Sequence, residues 1–346
     1  MKTIAAIQRR PYEPLSIEEI DLHEPKEHEV LVRVVACGIC HTDLMVKDHA
    51  ASYPYLLGHE GSGVVVSVGK QVTEFSPGDP VIASYTSCGK CENCLSGKPY
   101  ACQYIYDPYF YGFREDGTSP ASWNGKRMGA LIRQGAYARH MVVSERALTR
   151  VDAKLDIRIL APLGCGVMTG AGSIWNYLRP SIGETIIILG FGGVGFGAVC
   201  AARNLGLKRI VVVDKDTERL KTASACGATE TIRSAEMKEF IKDNSGKFDY
   251  LFDSTGSMEL LREVEAVLSP AAAGCGSAGG SLCSHPFESI DEGHSIPQEM
   301  IAEMIRWYRR GTLPMREIVR FYPFDLVNQA ITAMEHGEVI KPILIM

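Results

Sequence analysis

Two textures of hydrophobic patterning divide the chain. Up to about residue 155 the β-branched runs are short and broken by Pro and Gly: EVLVRVVAC (29–37), GSGVVVSVG (61–69), DPVIAS (79–84) and ARHMVVS (138–144). Such runs between turn residues predict strands, and their spacing predicts a compact, mostly β domain with long loops. From about residue 180 the texture changes. ETIIILG (184–190), RIVVVD (209–214) and FDYLFDSTG (248–256) each lead into a helical stretch. That alternation predicts a parallel, doubly wound sheet. An amphipathic helix, EMIAEMIRWYRR (299–310), and an apolar tail, KPILIM (341–346), follow. The expected class is α/β in two domains, residues 1–160 completed by 295–346, and residues 161–294.

One stretch departs from this pattern. After EAVLSP, residues 271–297 (AAAGCGSAGGSLCSHPFESIDEGHSIP) have little β-branched content. Two more strong strands belong there in a full doubly wound sheet, so the sheet is expected to be truncated at its C-terminal end.

Composition narrows the setting. The chain has 346 residues and a net charge of −5, which gives no reason to expect nucleic acid or an anionic membrane as partner. The apolar run before Arg9 and Arg10 is too short for a secretory segment, and no stretch approaches membrane-spanning length. A cytoplasmic protein is expected. Eleven cysteines, an odd count, should then remain thiols or bind metal. Cys37, Cys200, Cys226, Cys275 and Cys283 read as small core side chains.

The first chemical signal is TIIILGFGGVG. It places Gly190, Gly192 and Gly195 as G-x-G-x-x-G after a strand and before a helix, with Gly193 and Val194 inside the motif. Asp214 ends the next strand nineteen positions after Gly195. Gly190 permits the tight turn, Gly192 lets the backbone approach a pyrophosphate, and Gly195 lets the helix pack closely. Asp214 can bind both ribose hydroxyls. A carboxylate there repels a 2′-phosphate, so NAD is expected over NADP. Lys215 and Arg219 nearby leave room for some tolerance.

The second signal is SCGKCENCLSGKPYAC (87–102). Cys88, Cys91, Cys94 and Cys102 supply four thiolates, enough to close a tetrahedral zinc shell with no position left for water. A third set is dispersed: Cys40 in CGICHTD, His59 and Glu60 in GHEG, and Cys165 in APLGCGVMTG. Two thiolates and an imidazole leave a fourth position open, the pattern of a catalytic zinc. No local spacing joins these residues.

The motifs GHEGSGVVVSVG, CGKCENCLSGKPYAC, LGCGVMTGAG and ILGFGGVG stand in the order found in zinc-dependent medium-chain alcohol dehydrogenases. The resemblance covers nearly the whole chain. CHTDL, APLGCGVMTGAG and the terminal FYPFD…AI…GEVIKPIL most resemble the aryl-alcohol dehydrogenases. It implies a GroES-like, mostly β catalytic domain and a Rossmann domain. It also implies two zinc ions per chain. Cys40, His59 and Cys165 would bind the catalytic zinc, with Glu60 as an alternative ligand and Asp43 orienting His59. Cys88, Cys91, Cys94 and Cys102 would bind the structural one. His41 and Lys341 would approach the coenzyme pyrophosphate, and Thr169 and Val194 would flank the nicotinamide.

The implied reaction is reversible hydride transfer between a primary aromatic or allylic alcohol and NAD. The open zinc position would take the alcohol oxygen, and Thr42 would accept its proton. Met45 stands where many relatives carry a relay histidine, so the proton should leave through Thr42, the ribose and water. Six aromatics in 104–113, with Tyr85, are candidate pocket walls. The alternatives are a polyol or other secondary-alcohol dehydrogenase, and a non-catalytic zinc and nucleotide-binding protein. The resemblance implies a homo-oligomer, and residues 271–297, shorter than in the family, predict a weaker dimer or a different interface and a nicotinamide ring less firmly held.

Overall fold

The computed structural model describes residues 1–50, 52–104 and 112–346. The chain forms two compact units. Met1–Cys165, Ile296–Ala302 and Val319–Met346 make the first, and Gly166–Ser295 with Glu303–Ile318 make the second. Residues 303–318 therefore sit with the nucleotide-type unit, not with the catalytic unit to which the whole C-terminal segment was expected to belong.

Among the described residues, the first unit holds a closed five-stranded barrel and a seven-stranded sheet. In the sheet, Glu29–Gly38 is a central strand and almost continuously buried. Glu60–Val68 pairs antiparallel along one edge of it, with Gly38 opposite Glu60. The C-terminal strand Lys341–Ile345 pairs antiparallel along the other, with Ile343 opposite Gly38. The chain's last strand thus returns to the end of Glu29–Gly38 from which the CGICHTD loop departs. This return positions the site.

The second unit carries a six-stranded parallel sheet in the order Glu230–Arg233, Arg209–Asp214, Thr185–Leu189, Phe248–Asp253, Leu268–Gly276, Phe287–Ser289. Strand number is complete, which corrects the expected truncation. Leu268–Gly276 runs nine residues beside Phe248–Asp253, and the shortening falls on the last strand, which has three. The small residues have a packing reason. A Cβ on Gly274 or Gly276 would sit 3.0 Å or 2.8 Å from ring atoms of Phe287, so the ring covers the glycines. Ala-rich sequence makes a strand here because Phe248, Leu251, Val267 and Leu268 supply the buried bulk around Ala272.

Glycines also set the helices. Helices Gly166–Gly172 and Gly193–Leu205 pack backbone to backbone. A Cβ on Gly170 would collide with the Val194 carbonyl, and one on Gly197 with that of Val167. No single described helix is long and apolar enough to cross a membrane.

Candidate active site and metal centres

In the first unit the dispersed residues converge. One ligand atom from each of Cys40, His59, Glu60 and Cys165 lies within 4.8 Å of the others. Cys40 caps the helix His41–Lys47, where exposed N–H groups favour a thiolate. Its sulfur is 3.9 Å from that of Cys165. That matches two thiolates sharing a tetrahedral zinc, whose bond length of about 2.3 Å puts them about 3.8 Å apart. The hydrogen bond with Cys165, then the charges of Lys341 and His59, hold Cys40 well below the usual thiol range despite burial.

Asp43, the third residue of the same helix, organises the set. Its buried carboxylate accepts the N–H of Cys40 at 3.0 Å and that of Gly58 at 2.8 Å. His59 Nδ1 lies 3.2 Å from it. This fixes the ring so that Nε2 is the free nitrogen, and Nε2 is buried with no hydrogen-bond partner. A buried polar atom without a partner is costly, and a metal ion between the two sulfurs is the partner this donor set fits. Zinc fits here.

Glu60 is fully buried, and Lys341 Nζ reaches its two oxygens at 2.9 and 3.1 Å and the Ile39 carbonyl at 3.1 Å. Burial pushes the Glu60 carboxyl up to about 7 against the opposing pull of Lys341. Lys341 is 3% exposed and all three of its N–H groups have acceptors here. The ammonium is thus paired with Glu60, an arrangement that competes with the expected pyrophosphate contact. Gly38 makes room for the pair, since a Cβ there would collide with the Glu60 carboxylate.

Thr42 is half-buried, its hydroxyl 3.8 Å from the Cys40 sulfur, while His41 is exposed at the first helical position. Met45 is 56% exposed, and Tyr85 is buried. Of the aromatic run 104–113, residues 105–111 lie outside the described residues.

The second metal set is equally compact: ligand atoms of Cys88, Cys91, Cys94 and Cys102 all lie within 4.8 Å of one another. Sulfur pairs Cys88–Cys94 and Cys91–Cys102 are 3.9 and 4.0 Å apart, and all four thiols are free. The backbone N–H groups of Lys90 and Cys91 point at the Cys88 sulfur, at 3.5 and 3.3 Å. From residue 87 to 103 only Cys91 and Cys102 are buried. The sulfur cluster is the core of this loop, as a closed zinc site requires. Of the cysteines read as core, Cys37, Cys200, Cys226 and Cys275 are buried, but Cys283 is exposed. It lies on the loop between the last two strands of the second sheet, where there is no interior to fill.

In the second unit the glycine motif behaves as its spacing demands. Gly190 has φ +87°, and a Cβ on it would lie 2.7 Å from Ser254 Oγ. Gly195 packs against the Gly190 carbonyl, and a Cβ on Gly192 would meet nothing within 4 Å. That open space, ahead of the helix Gly193–Leu205 and its unpaired first N–H groups, fits a phosphate group. Gly193 and Val194 are half-buried in its first turn. Asp214 is 7% exposed, and its two oxygens accept the N–H of Phe191 at 2.7 Å and of Asp216 at 2.9 Å. Each oxygen keeps one acceptor position for a ribose hydroxyl. Arg219 Nε is buried without a partner. Thr169 is buried in the helix Gly166–Gly172.

A thiolate–imidazole metal site in a mostly β unit, with a dinucleotide-type sheet following in the chain, defines a zinc-dependent oxidoreductase. The family models for the alcohol dehydrogenase GroES-like domain and the zinc-binding dehydrogenase match residues 26–153 and 193–308. The chain is 34% identical to the geraniol dehydrogenase of Castellaniella defragrans over 99% of this chain and 97% of that one. It is 31% identical to the S-(hydroxymethyl)glutathione dehydrogenase of Escherichia coli over 99% and 100%. Its fold is similar to the benzyl alcohol dehydrogenase structure from Acinetobacter calcoaceticus, at TM-score 0.93 and 31% identity, covering 100% of this chain and 99% of that one. The chain belongs to the zinc-dependent alcohol dehydrogenases, close to the aryl-alcohol group.

Proposed function

We propose that the protein oxidises primary aromatic or allylic alcohols to aldehydes, reversibly, with NAD and two zinc ions per chain. The observation that carries this reading is the orphaned Nε2 of His59 beside the Cys40 and Cys165 sulfurs, with Asp43 behind the ring. The named relatives support the substrate class, since geraniol is a primary allylic alcohol and benzyl alcohol a primary aromatic one. Cytoplasmic residence and a homo-oligomer belong to the same reading. The weakened dimer now rests only on the three-residue final strand, an edge too short to pair strongly.

When bound, zinc supplies a Lewis acid that lowers the alcohol's pKa, and NAD supplies the hydride acceptor. The chain's residues do the rest. Asp43 keeps the Nδ1 proton of His59 in place and so presents Nε2 to the metal. The Thr42 hydroxyl, beside Cys40, takes the alcohol proton and passes it on, because exposed Met45 offers no basic atom. Asp214 would hold the coenzyme ribose through its remaining acceptor positions. His41 would approach the coenzyme pyrophosphate, and Thr169 and Val194 would flank the nicotinamide.

The test is the rise of reduced-nicotinamide absorbance with benzyl alcohol or geraniol and NAD. Turnover confined to secondary alcohols or polyols would overturn the substrate class, and no turnover with any alcohol would overturn the enzyme reading. NAD should outperform NADP, and Asp214→Gly should narrow the ratio of the two catalytic efficiencies by about 10- to 100-fold, as expected for hydrogen bonds to a charged group. The ratio is the diagnostic quantity. Asp214 also anchors the Phe191 N–H, so efficiency with both coenzymes should fall when the glycine loop loosens. Equal efficiency with both coenzymes in the unmutated enzyme would count against Asp214 as the selector.

A further inference from the structure

The peptide that carries Cys165 is held by a side chain that neither the motifs nor the reaction account for. Ser84 follows the strand Pro80–Ala83 and is fully buried. Its hydroxyl donates to the Gly164 carbonyl at 2.6 Å. That carbonyl belongs to the same rigid peptide plane as the Cys165 N–H. Gly164 lies directly on the strand end: a Cβ there would sit 1.9 Å from the Ala83 carbonyl oxygen and 3.5 Å from Ser84 Cα. Ser84 is itself pinned from two sides. Its N–H donates to the Ala147 carbonyl at 2.8 Å, and its own carbonyl accepts Gln134 Nε2 at 2.6 Å. Gln134 is buried as well, so this small polar chain is closed to water.

We propose that Ser84 is a positioning residue of the metal site: its hydroxyl fixes the Gly164–Cys165 peptide plane and thereby the direction in which the Cys165 sulfur is presented. The inference rests on Cys165 being a metal ligand. Cys165 stands between the turn Ala161–Gly164 and the helix Gly166–Gly172, and at φ −144° and ψ −98° its backbone is not helical. Its N–H reaches the Pro162 carbonyl only at 3.5 Å. The other two ligands are better backed. Asp43 accepts the Cys40 N–H at 3.0 Å and holds the His59 ring at 3.2 Å. Ser84 gives the third ligand the support that Asp43 gives the first two. The hydrogen bond is at the short end of the hydroxyl–carbonyl range, so a rotation of the plane breaks it. Groups that orient a ligand in this way strengthen metal binding without touching the metal.

The experiment compares the full-length zinc-loaded protein with Ser84→Ala, which removes the hydroxyl and adds no bulk. A chelator draws out two populations of zinc, and the one that Cys165→Ser abolishes belongs to this site. In S84A that zinc should leave about tenfold faster, the lower end of the 10- to 100-fold cost of removing a group behind a ligand. The zinc of the four-cysteine loop should leave at an unchanged rate. Cobalt placed in the same site should show a weaker thiolate-to-metal charge-transfer band in S84A. The turnover number for the alcohol should fall while the Michaelis constant for NAD stays put. If Cys165→Ser abolishes neither population, Cys165 is no ligand, and both the metal assignment and this inference fall. If it abolishes one, but S84A leaves that release rate and the cobalt band unchanged or speeds both populations alike, only the role of Ser84 falls. Should S84A not accumulate folded, Gln134→Met frees the Ser84 carbonyl and removes an amide oxygen that is buried without a partner. It should speed release of the same zinc by a smaller factor, and an unchanged rate overturns the inference.

Discussion

Serine in place of Cys40 or Cys165 should lower turnover at least about a thousandfold while leaving the chain folded and one of its two zinc ions in place. A Lewis acid contributes several kcal/mol to the barrier, and each 1.36 kcal/mol is about tenfold in rate. The neighbouring strands do not depend on these sulfurs for their packing: Glu29–Gly38 is held on both edges by strand pairing. Cys102→Ser should behave in the opposite way. The loop from 87 to 103 buries no side chains except Cys91 and Cys102, so losing its metal removes its interior. Proteolytic nicking and heat sensitivity should rise in that variant, with less effect on the turnover of the protein that remains folded. Metal analysis of the unmutated enzyme should find two zinc ions per chain. Active enzyme with one zinc or none would defeat the assignment.

Residues close together in sequence were legible from their spacing alone. Four cysteines within fifteen positions can reach one ion without any knowledge of the fold, and a glycine triad between a strand and a helix dictates its own geometry. Cys40, His59 and Cys165 were different. Their meeting depends on the pairing of Gly38 with Glu60 and on the turn that presents Cys165, and no local pattern records either. Family resemblance bridged that gap. It singled out Lys341 but not its pairing with Glu60, which lies 281 residues away and is chosen by the register of the last strand. Nor did pattern reading recognise residues 271–276 as a strand. Propensity counts what a residue brings to a sheet, whereas here Phe287 and Leu251 bring the bulk and small residues make room for it. Gly170 and Gly197 carried a similar hidden signal. They stand near a metal ligand and a nucleotide motif, yet their task is close helix packing.

Lys341→Met should cost roughly 3–5 kcal/mol of stability, the usual penalty for stripping one partner from a buried ion pair. Glu60 is 0% exposed and Lys341 is 3% exposed, so water cannot replace the lost ammonium. The remaining carboxylate would sit within 4.8 Å of the Cys40 and Cys165 sulfurs, which are themselves anionic when they hold a metal. Its nearest relief is protonation, towards which burial already biases it. The double variant Lys341→Met/Glu60→Gln removes both charges and should recover most of the loss, because an uncharged pair of similar volume leaves no bare charge behind. Denaturant unfolding of the two single variants and the double variant gives the coupling directly. The same set separates the observed arrangement from the coenzyme role that the resemblance implies. If Lys341 served the pyrophosphate, Lys341→Met would raise the Michaelis constant for NAD at nearly unchanged stability, and Glu60→Gln would rescue nothing. If it serves Glu60, stability falls first and the second substitution restores it.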